Sequence, residues 1–219
     1  MDFLKFFPVW NRLTQAQRDI LSSSAVRKHI RQGEVIHSGT ADCSGLLLVN
    51  SGMLRAYILS EEGKEITLYR LFDMDICLFS ASCMIKSLQF EIMIEAEKDS
   101  EVLVIPADIY KGLSESSAVL ANYTNQIMAS RFSEVMWLIE QLMWKSFDKR
   151  LAQFLVEEAM LEDADSLSIT HEKIANHLGT AREVVSRMLK YFEGEGLVKV
   201  SRGSVRILSL SGLRQTYED

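Results

Sequence analysis

Charged and hydroxyl side chains are concentrated between residues 182 and 190 in a pattern suited to reading DNA. Arg182, Glu183, Ser186, Arg187 and Lys190 occur at spacings that place them on one face of a helix, with apolar residues on the other face. An arginine can bond both O6 and N7 of guanine, and a carboxylate can accept a hydrogen bond from N4 of cytosine. The chemistry expected here is hydrogen bonding to base edges in a major groove.

Two short helices are expected to position that face. Thr170 can N-cap a first helix, which ends at Gly179, where a left-handed backbone is tolerated. Thr180 then opens a second helix and forms a capping box with Glu183. This order of cap, glycine turn and charged helix predicts a helix-turn-helix.

A basic hairpin and a local excess of positive charge support the same interpretation. Residues 197–208 predict two strands joined at the Arg202-Gly203 turn, a wing that would touch the DNA backbone. The chain has a net charge of −6, but residues 170–219 contain eight basic and six acidic side chains, a charge of +2. An acidic body with a mildly basic C-terminal quarter fits a protein that meets phosphate with one face only.

The first half of the chain has the texture of a small antiparallel β domain. Short alternating apolar runs separated by turn residues extend from Gly33 to Pro106, after an amphipathic helix expected at residues 12–28. The strongest hairpin signal is Ser60-Glu61-Glu62-Gly63-Lys64. This segment predicts a β-roll or jelly roll.

A long helix without glycine or proline is predicted over residues 117–145, and a second helix over residues 148–162. Apolar residues recur along the long helix in steps of three and four, at Met128, Phe132, Val135, Ile139 and Leu142. Since further apolar residues widen this face, the helix must bury two sides. Homodimerisation is the economical solution, and a single buried helix in a monomer is the alternative.

The predicted fold class is therefore α+β. It comprises an N-terminal antiparallel β-roll (jelly-roll) sensor, a dimerisation helix and a C-terminal winged helix-turn-helix. The corresponding boundaries are residues 1–116, 117–145 and 146–219.

With these features the chain resembles the cyclic-AMP receptor protein/FNR family of bacterial transcription regulators over nearly its whole length. The matching C-terminal residues are Ile169-Thr170, Leu178-Gly179, Ala181 to Arg187, Lys190 and Gly196-Leu197. The matching N-terminal residues are Gly33-Glu34, Gly39, Asp42, Val49 to Gly52 and Glu62 to Glu65. The resemblance implies that the β-roll sensor is of the cyclic-nucleotide-binding type. It also implies a homodimer on a pseudo-palindromic double-stranded DNA site, and contact with RNA polymerase.

The resemblance also implies roles for single residues. Glu183 and Arg187 match the pair that reads a G·C step within a GA/TC-type half-site, Arg182 matches the cyclic-AMP receptor type, and Ser186 matches the FNR type. Five residues are candidates for phosphate contacts, although each is equally explained as an ordinary cap or surface residue: Thr170, Thr180, Lys190, Arg202 and Ser204.

The sensor half departs from the family's cyclic-nucleotide pocket. The positions of its phosphate-binding arginine and serine fall on Phe90 and Glu91, and a carboxylate would repel a phosphate. Cyclic AMP is therefore not the expected effector. Six residues either form a pocket for an unidentified hydrophobic effector or belong to the core: Phe79, Phe90, Met128, Phe132, Val135 and Met136.

Cysteines and histidines give little support for a metal or cofactor. Cys43, Cys77 and Cys83 form no CxxC pair and no N-terminal cluster, so neither a zinc site nor an iron–sulfur centre is expected. Cys77 and Cys83 are candidates for redox sensing, with buried, inert thiols as the alternative. Haem ligated by His29 or His37 stays open, and no cofactor is predicted.

The remaining classes of function are less well supported. No apolar run is long enough to span a bilayer and the first residues do not resemble a signal peptide, so a cytoplasmic protein is expected. A cupin-type metalloenzyme lacks His-x-His, a hydrolase lacks GxSxG, and no enzymatic activity is predicted. The alternative to a sequence-specific transcription regulator is a ligand-binding regulatory protein that uses residues 168–208 for protein interaction.

Overall fold

The computed structural model describes residues 3–38, 45–84 and 91–218. The chain divides into two compact units. Unit 1 comprises Met1–Leu59 and Leu68–Met136, and unit 2 comprises Ser60–Thr67 and Trp137–Asp219.

Unit 1 is built on two four-stranded antiparallel sheets, with strand orders β1-β8-β3-β6 and β2-β7-β4-β5. The strands are β1 (Val26–Ile30), β2 (Val35–Ser38), β3 (Leu46–Ser51), β4 (Leu54–Leu59), β5 (Glu65–Leu71), β6 (Ile76–Cys77), β7 (Met93–Ala96) and β8 (Ser100–Ile105). The first three residues of β5 are counted with unit 2 and the rest with unit 1. The β4–β5 hairpin closes where the sequence predicts it, with the Ser60 amide donating to Lys64 O and Gly63 at φ +77°. The predicted β-roll is confirmed.

Strand β3 lies at the centre of the unit 1 core because it is apolar on both faces. Leu46 and Leu48 pack in one buried cluster with Leu103 and Ile105, while Leu47 and Val49 belong to a second cluster on the opposite face of the strand. Leu46 to Val49 are all fully buried. A continuous apolar run of this length is typical of a strand covered on both sides.

Helices flank the sheets of unit 1. They are α1 (Gln15–Ser24), α2 (Ala107–Ser116) and α3 (Ala118–Trp144), the last of which continues into unit 2. The expectation of a helix over residues 12–28 is wrong at both ends. Thr14 forms a capping box with Gln17 and starts α1, and Val26 already pairs with Val104 in the sheet.

Unit 2 is a helical domain with a small antiparallel sheet, in strand order β10-β11-β9. Its elements are α4 (Phe147–Glu162), β9 (Ser166–Leu167), α5 (His171–Leu178), α6 (Arg182–Gly194), β10 (Val198–Ser201), β11 (Ser204–Ile207) and α7 (Leu210–Glu218). Leu155, Ile174, Leu189 and Phe192 are fully buried in its single apolar cluster. This arrangement confirms the predicted α+β class with a C-terminal winged helix-turn-helix. Across the described residues, no helix is both long enough and apolar enough to cross a membrane.

Candidate functional site

The helix-turn-helix begins as the sequence predicts. Thr170 N-caps α5 by accepting a 3.1 Å hydrogen bond at Oγ1 from the Lys173 amide. Gly179 ends the helix at φ +64°, and a Cβ at this position would lie 2.8 Å from Ile66 Cδ1 of the same unit. Glycine is therefore required at the turn for two reasons, backbone conformation and space.

Two further contacts hold α5 in place. Arg150 donates from Nη1 to Leu178 O at 3.1 Å, so a cation satisfies a carbonyl at the C-terminal end of the helix. The buried His177 ring shares a 2.9 Å hydrogen bond between Nδ1 and Thr67 Oγ1, also within unit 2. Neither contact was predicted from the sequence, because each partner lies far from α5 along the chain.

The start of α6 differs from the sequence-based expectation. The helix begins at Arg182 with Ala181 as N-cap, and no side chain caps it. The predicted capping box between Thr180 and Glu183 is therefore wrong. The Thr180 amide instead donates a 3.1 Å hydrogen bond to Ala175 O at the end of α5. Thr180 therefore belongs to the turn, and α6 begins two residues later, at Arg182.

The exposed face of α6 carries four charged side chains with no hydrogen-bond or ion-pair partner among the described residues. They are Arg182, Glu183, Arg187 and Lys190, all of which were predicted from the sequence. The opposite face contributes Val185, Leu189 and Phe192, each fully buried in the core of unit 2. This burial holds the helix firmly while its charged face stays open to a partner.

Ser186 occupies a different position from its charged neighbours. It is half-buried, and its Oγ lies 2.8 Å from His171 Nδ1 and donates to Arg182 O at 2.9 Å. Burial, followed by the nearby positive charge of Arg182, lowers the pKa of His171 below its ordinary value of 6.5. His171 was not predicted as part of the site, since the 15-residue separation of the pair gives no local signal.

The wing is formed as expected. Strands β10 and β11 pair antiparallel with Ser201 opposite Ser204, and Gly203 adopts φ +74° in the turn. Arg202 is exposed at the tip, and Ser204 is half-buried. Of the predicted phosphate-contacting residues on the helices, Lys190 is exposed, Thr170 caps α5 and Thr180 is half-buried.

The interior of unit 1 contains a polar group that the sequence did not reveal. Arg131 on α3 donates from Nη1 to both Glu134 carboxylate oxygens, at 2.9 and 2.8 Å, and from Nη2 to Asp75 at 3.4 Å. Its guanidinium carbon lies 4.7 Å from the centre of the Tyr69 ring, which in turn contacts Phe79 at 6.1 Å. Burial lowers the pKa of Arg131, but the hydrogen bonds and charge of Glu134, together with Tyr69 and Asp75, more than offset it, so the pKa is raised.

The residues predicted to form an effector pocket differ in burial. Phe79 is buried, and Met128 and Val135 are half-buried. Phe132 and Met136 are exposed on α3. Phe90 lies outside the described residues.

Cys77 is fully buried, and this burial raises the pKa of its thiol. A thiol held in its neutral form reacts slowly with oxidants. The Cys83 side chain lies outside the described part of the structure. Over the ranges that are described, no cluster of three or more His, Cys, Asp or Glu side chains is arranged to bind a metal ion.

Both halves of the chain match known protein families. Residues 27–117 match the family model of the cyclic nucleotide-binding domain, and residues 149–216 match that of the Crp-like helix-turn-helix domain. A crystal structure from Eubacterium rectale, described as a transcriptional regulator of the Crp/Fnr family, is 59% identical. It superposes with a TM-score of 0.96 over 98% of this chain and 99% of the other.

Curated relatives are more distant. The anaerobic regulatory protein of Haemophilus influenzae is 27% identical over 210 residues, covering 92% of this chain and 80% of the relative. The cyclic AMP receptor protein of Thermus thermophilus is 26% identical over 204 residues, covering 93% and 94%. The match extends through both units in each case.

Proposed function

This chain belongs to the Crp/Fnr family of DNA-binding transcription regulators, and from that premise we propose that it acts as a homodimer that reads a near-palindromic operator and responds to an effector other than cyclic AMP. Each protomer reads one half-site with α6. RNA polymerase is the expected partner at the promoter, and the cytoplasm is the expected location.

The observation that carries the DNA-reading role is the division of α6 into two faces. Arg187 and Glu183 are exposed and unpaired within the described chain, whereas Val185 and Leu189 are fully buried. Holding the charged side chains on a fixed helix reduces the entropy lost when they bond base edges. Glu183 and Arg187 read the central G·C step, and Arg182 reaches the neighbouring bases.

Homodimerisation is supported by an exposed apolar stripe on α3. Phe132, Met136, Ile139 and Met143 follow one another at steps of four, three and four, which is the spacing of a two-helix seam. Phe132 and Met143 are each 66% exposed in the single chain. A second α3 packed on this stripe would bury these side chains. The resulting dimer would present two copies of α6 to successive major grooves of the duplex.

The interior of unit 1 argues against a cyclic nucleotide as the effector. Arg131 already pairs with Glu134 and Asp75, so a cyclic phosphate would bring a third negative charge to the same cation. Tyr69 and Phe79 occupy space beside it with their rings. A small hydrophobic effector that contacts the aromatic rings beside Arg131 is the better candidate, because it requires no additional cation. Its binding would shift the packing of α3, and thereby the spacing of the two α6 helices.

Selection from a random pool of double-stranded DNA by the purified protein tests the proposal. We expect a palindrome with GA/TC-type half-sites, and we expect Arg187→Ala to weaken binding to it by about 10- to 100-fold. Arg12→Ala is the matched control, since Arg12 is also exposed but belongs to unit 1. A folded protein that enriches no sequence at any salt concentration would favour a protein-interaction role for unit 2.

A further inference from the structure

The ring of His171 lies beside the face of α6 that we propose to read DNA. Arg182, Ser186 and Lys190 follow one another at steps of four residues, so they form one row along that helix. His171 Nδ1 lies 2.8 Å from Oγ of Ser186, the middle residue of the row. A duplex held against α6 would therefore also face the His171 ring.

The same hydrogen bond decides which ring nitrogen can take up a proton. The Ser186 hydroxyl donates to Arg182 O at 2.9 Å, so the neutral ring of His171 donates to Ser186 Oγ from Nδ1. Nε2 is then the basic nitrogen of the ring. It has no hydrogen-bond partner among the described residues and is not enclosed, so water and a phosphate oxygen can reach it.

In the free protein the surroundings of His171 favour the neutral ring. Burial is the larger cause, and the charge of Arg182 the second, of a pKa below the ordinary value of 6.5. Glu172 and Lys173 follow His171 on α5, and Glu183 adjoins Arg182 on α6, but none of these three contributes to the shift. The ring is therefore uncharged in the free protein at neutral pH.

Bound DNA would reverse the electrostatic part of this balance. The duplex carries one negative charge for each ~1.7 Å of its axis, and a nearby negative charge stabilises a protonated imidazole. Arg182 would at the same time bond the duplex, which offsets its repulsion of a proton on His171. Loss of water around the ring opposes both effects, and a charge-assisted hydrogen bond from Nε2 to a phosphate oxygen would outweigh it.

We propose that His171 is a proton-binding site coupled to DNA, which takes up a proton as the operator binds and then donates from Nε2 to a phosphate. The inference rests on the proposed function, because α6 must first bring the duplex to this ring. The complex would bind the proton more tightly than the free protein does. Affinity for the operator would therefore rise as the pH falls from the pKa of His171 in the complex to its lower pKa in the free protein.

Operator affinity measured at fixed ionic strength between about pH 5.5 and 8, where histidine titrates, tests the proposal. We expect binding to tighten as the pH falls, by at most about tenfold per pH unit for each proton taken up. His171→Gln should lose most of this dependence. His29→Gln is the matched control, since His29 is an exposed histidine of unit 1, and it should keep the dependence of the unaltered protein.

The protons can also be counted, by titration calorimetry of the operator in buffers that differ in ionisation enthalpy. We expect the unaltered dimer to take up at most about two protons, one for each protomer, and His171→Gln to take up almost none. Arg182→Gln should take up fewer protons than the unaltered protein. Without the Arg182 charge, the pKa of His171 in the free protein lies closer to its value in the complex.

Two results would overturn the inference and leave the operator-binding function intact. One is an equal pH dependence in the unaltered protein and His171→Gln, and the other is operator binding without proton uptake. If selection recovers no operator, the same measurements on a duplex of random sequence decide the inference. A folded protein that binds no DNA at any pH would reject both this inference and the proposed function.

Discussion

His171 and Ser186 share a 2.8 Å hydrogen bond that joins the first turn of α5 to the exposed side of α6. A serine hydroxyl has one proton, and that of Ser186 is donated to Arg182 O at 2.9 Å. His171 must then supply the proton of the shared bond from Nδ1. Ser186 is thus engaged on two sides before any DNA arrives.

We therefore expect Ser186→Ala to have a smaller effect on operator recognition than Arg187→Ala. Loss of one neutral hydrogen bond costs about 1 kcal/mol, so even if one bond to DNA were lost, affinity would fall only about fivefold. The variant should keep the same preferred sequence, as measured by binding to operators substituted at each position in turn. A complete loss of preference at one base pair would show that Ser186 reads a base directly.

His171 should make the stability of the protein depend on pH. Burial and then Arg182 lower its pKa in the folded state below 6.5, so the folded protein binds this proton more weakly than the unfolded chain. The contribution is present above pH 6.5 and is lost as the pH falls through the lowered pKa. His171→Gln should flatten the fall in unfolding free energy on acidification, measured by urea denaturation. The exposed His29, altered in the same way, is the control, and an identical pH profile for all three proteins would contradict the prediction.

Two glycines allow the cost of backbone strain to be measured separately from the cost of steric crowding at Gly179, the turn of the helix-turn-helix. Gly196 has a similar left-handed backbone, φ +69°, but open space around its Cβ position. Gly196→Ala should lose about 1–2 kcal/mol of unfolding free energy from backbone strain alone. Gly179→Ala should lose more, because its methyl group would meet Ile66. Combining Gly179→Ala with Ile66→Ala should recover the excess after the cost of Ile66→Ala itself is subtracted, and equal losses for the two glycine variants would refute the role of crowding.

The apolar stripe on α3 predicts the effect of a buried charge at the proposed dimer seam. Ile139→Glu should shift the protein from dimer to monomer in analytical ultracentrifugation, since an isolated carboxylate at such an interface is costly. Binding to the palindromic operator should fall with it. Ser130→Glu places the same charge on an exposed position away from the stripe. Dissociation by both substitutions, or by neither, would argue against this seam.

Local rules were sufficient to predict most elements of unit 2. Thr170, Gly179 and Gly203 each impose a cap or a left-handed turn on their immediate neighbours, and the structure places all three as expected. The capping box at Thr180 failed for a reason that is also local. The Thr180 amide donates a hydrogen bond to Ala175 O, and Ala181 is the N-cap of α6 instead.

Contacts between distant residues could not be predicted in the same way. Arg131 and Asp75 are 56 residues apart, and neither residue type shows which oppositely charged residue will be its partner. The available signal that α3 faces an acidic group was that Arg131 is the one basic residue in this helix. The candidate base-reading residues were accessible from sequence because they lie within two turns of one helix, whereas the sensor interior is assembled from β5, β6 and α3.

The doubly buried strand β3 has a consequence for the synthesis of the protein. Leu46 to Val49 pair with β8, with Leu46 opposite Ile105, and residues of β8 belong to both apolar clusters that bury them. The ribosome makes β8 some fifty residues later, so the nascent chain carries an unpaired apolar strand in the meantime. No charged residue occurs between Asp42 and Arg55 to discourage its association with other chains. The segment that anchors the sensor core is therefore the one most exposed to aggregation before the core exists.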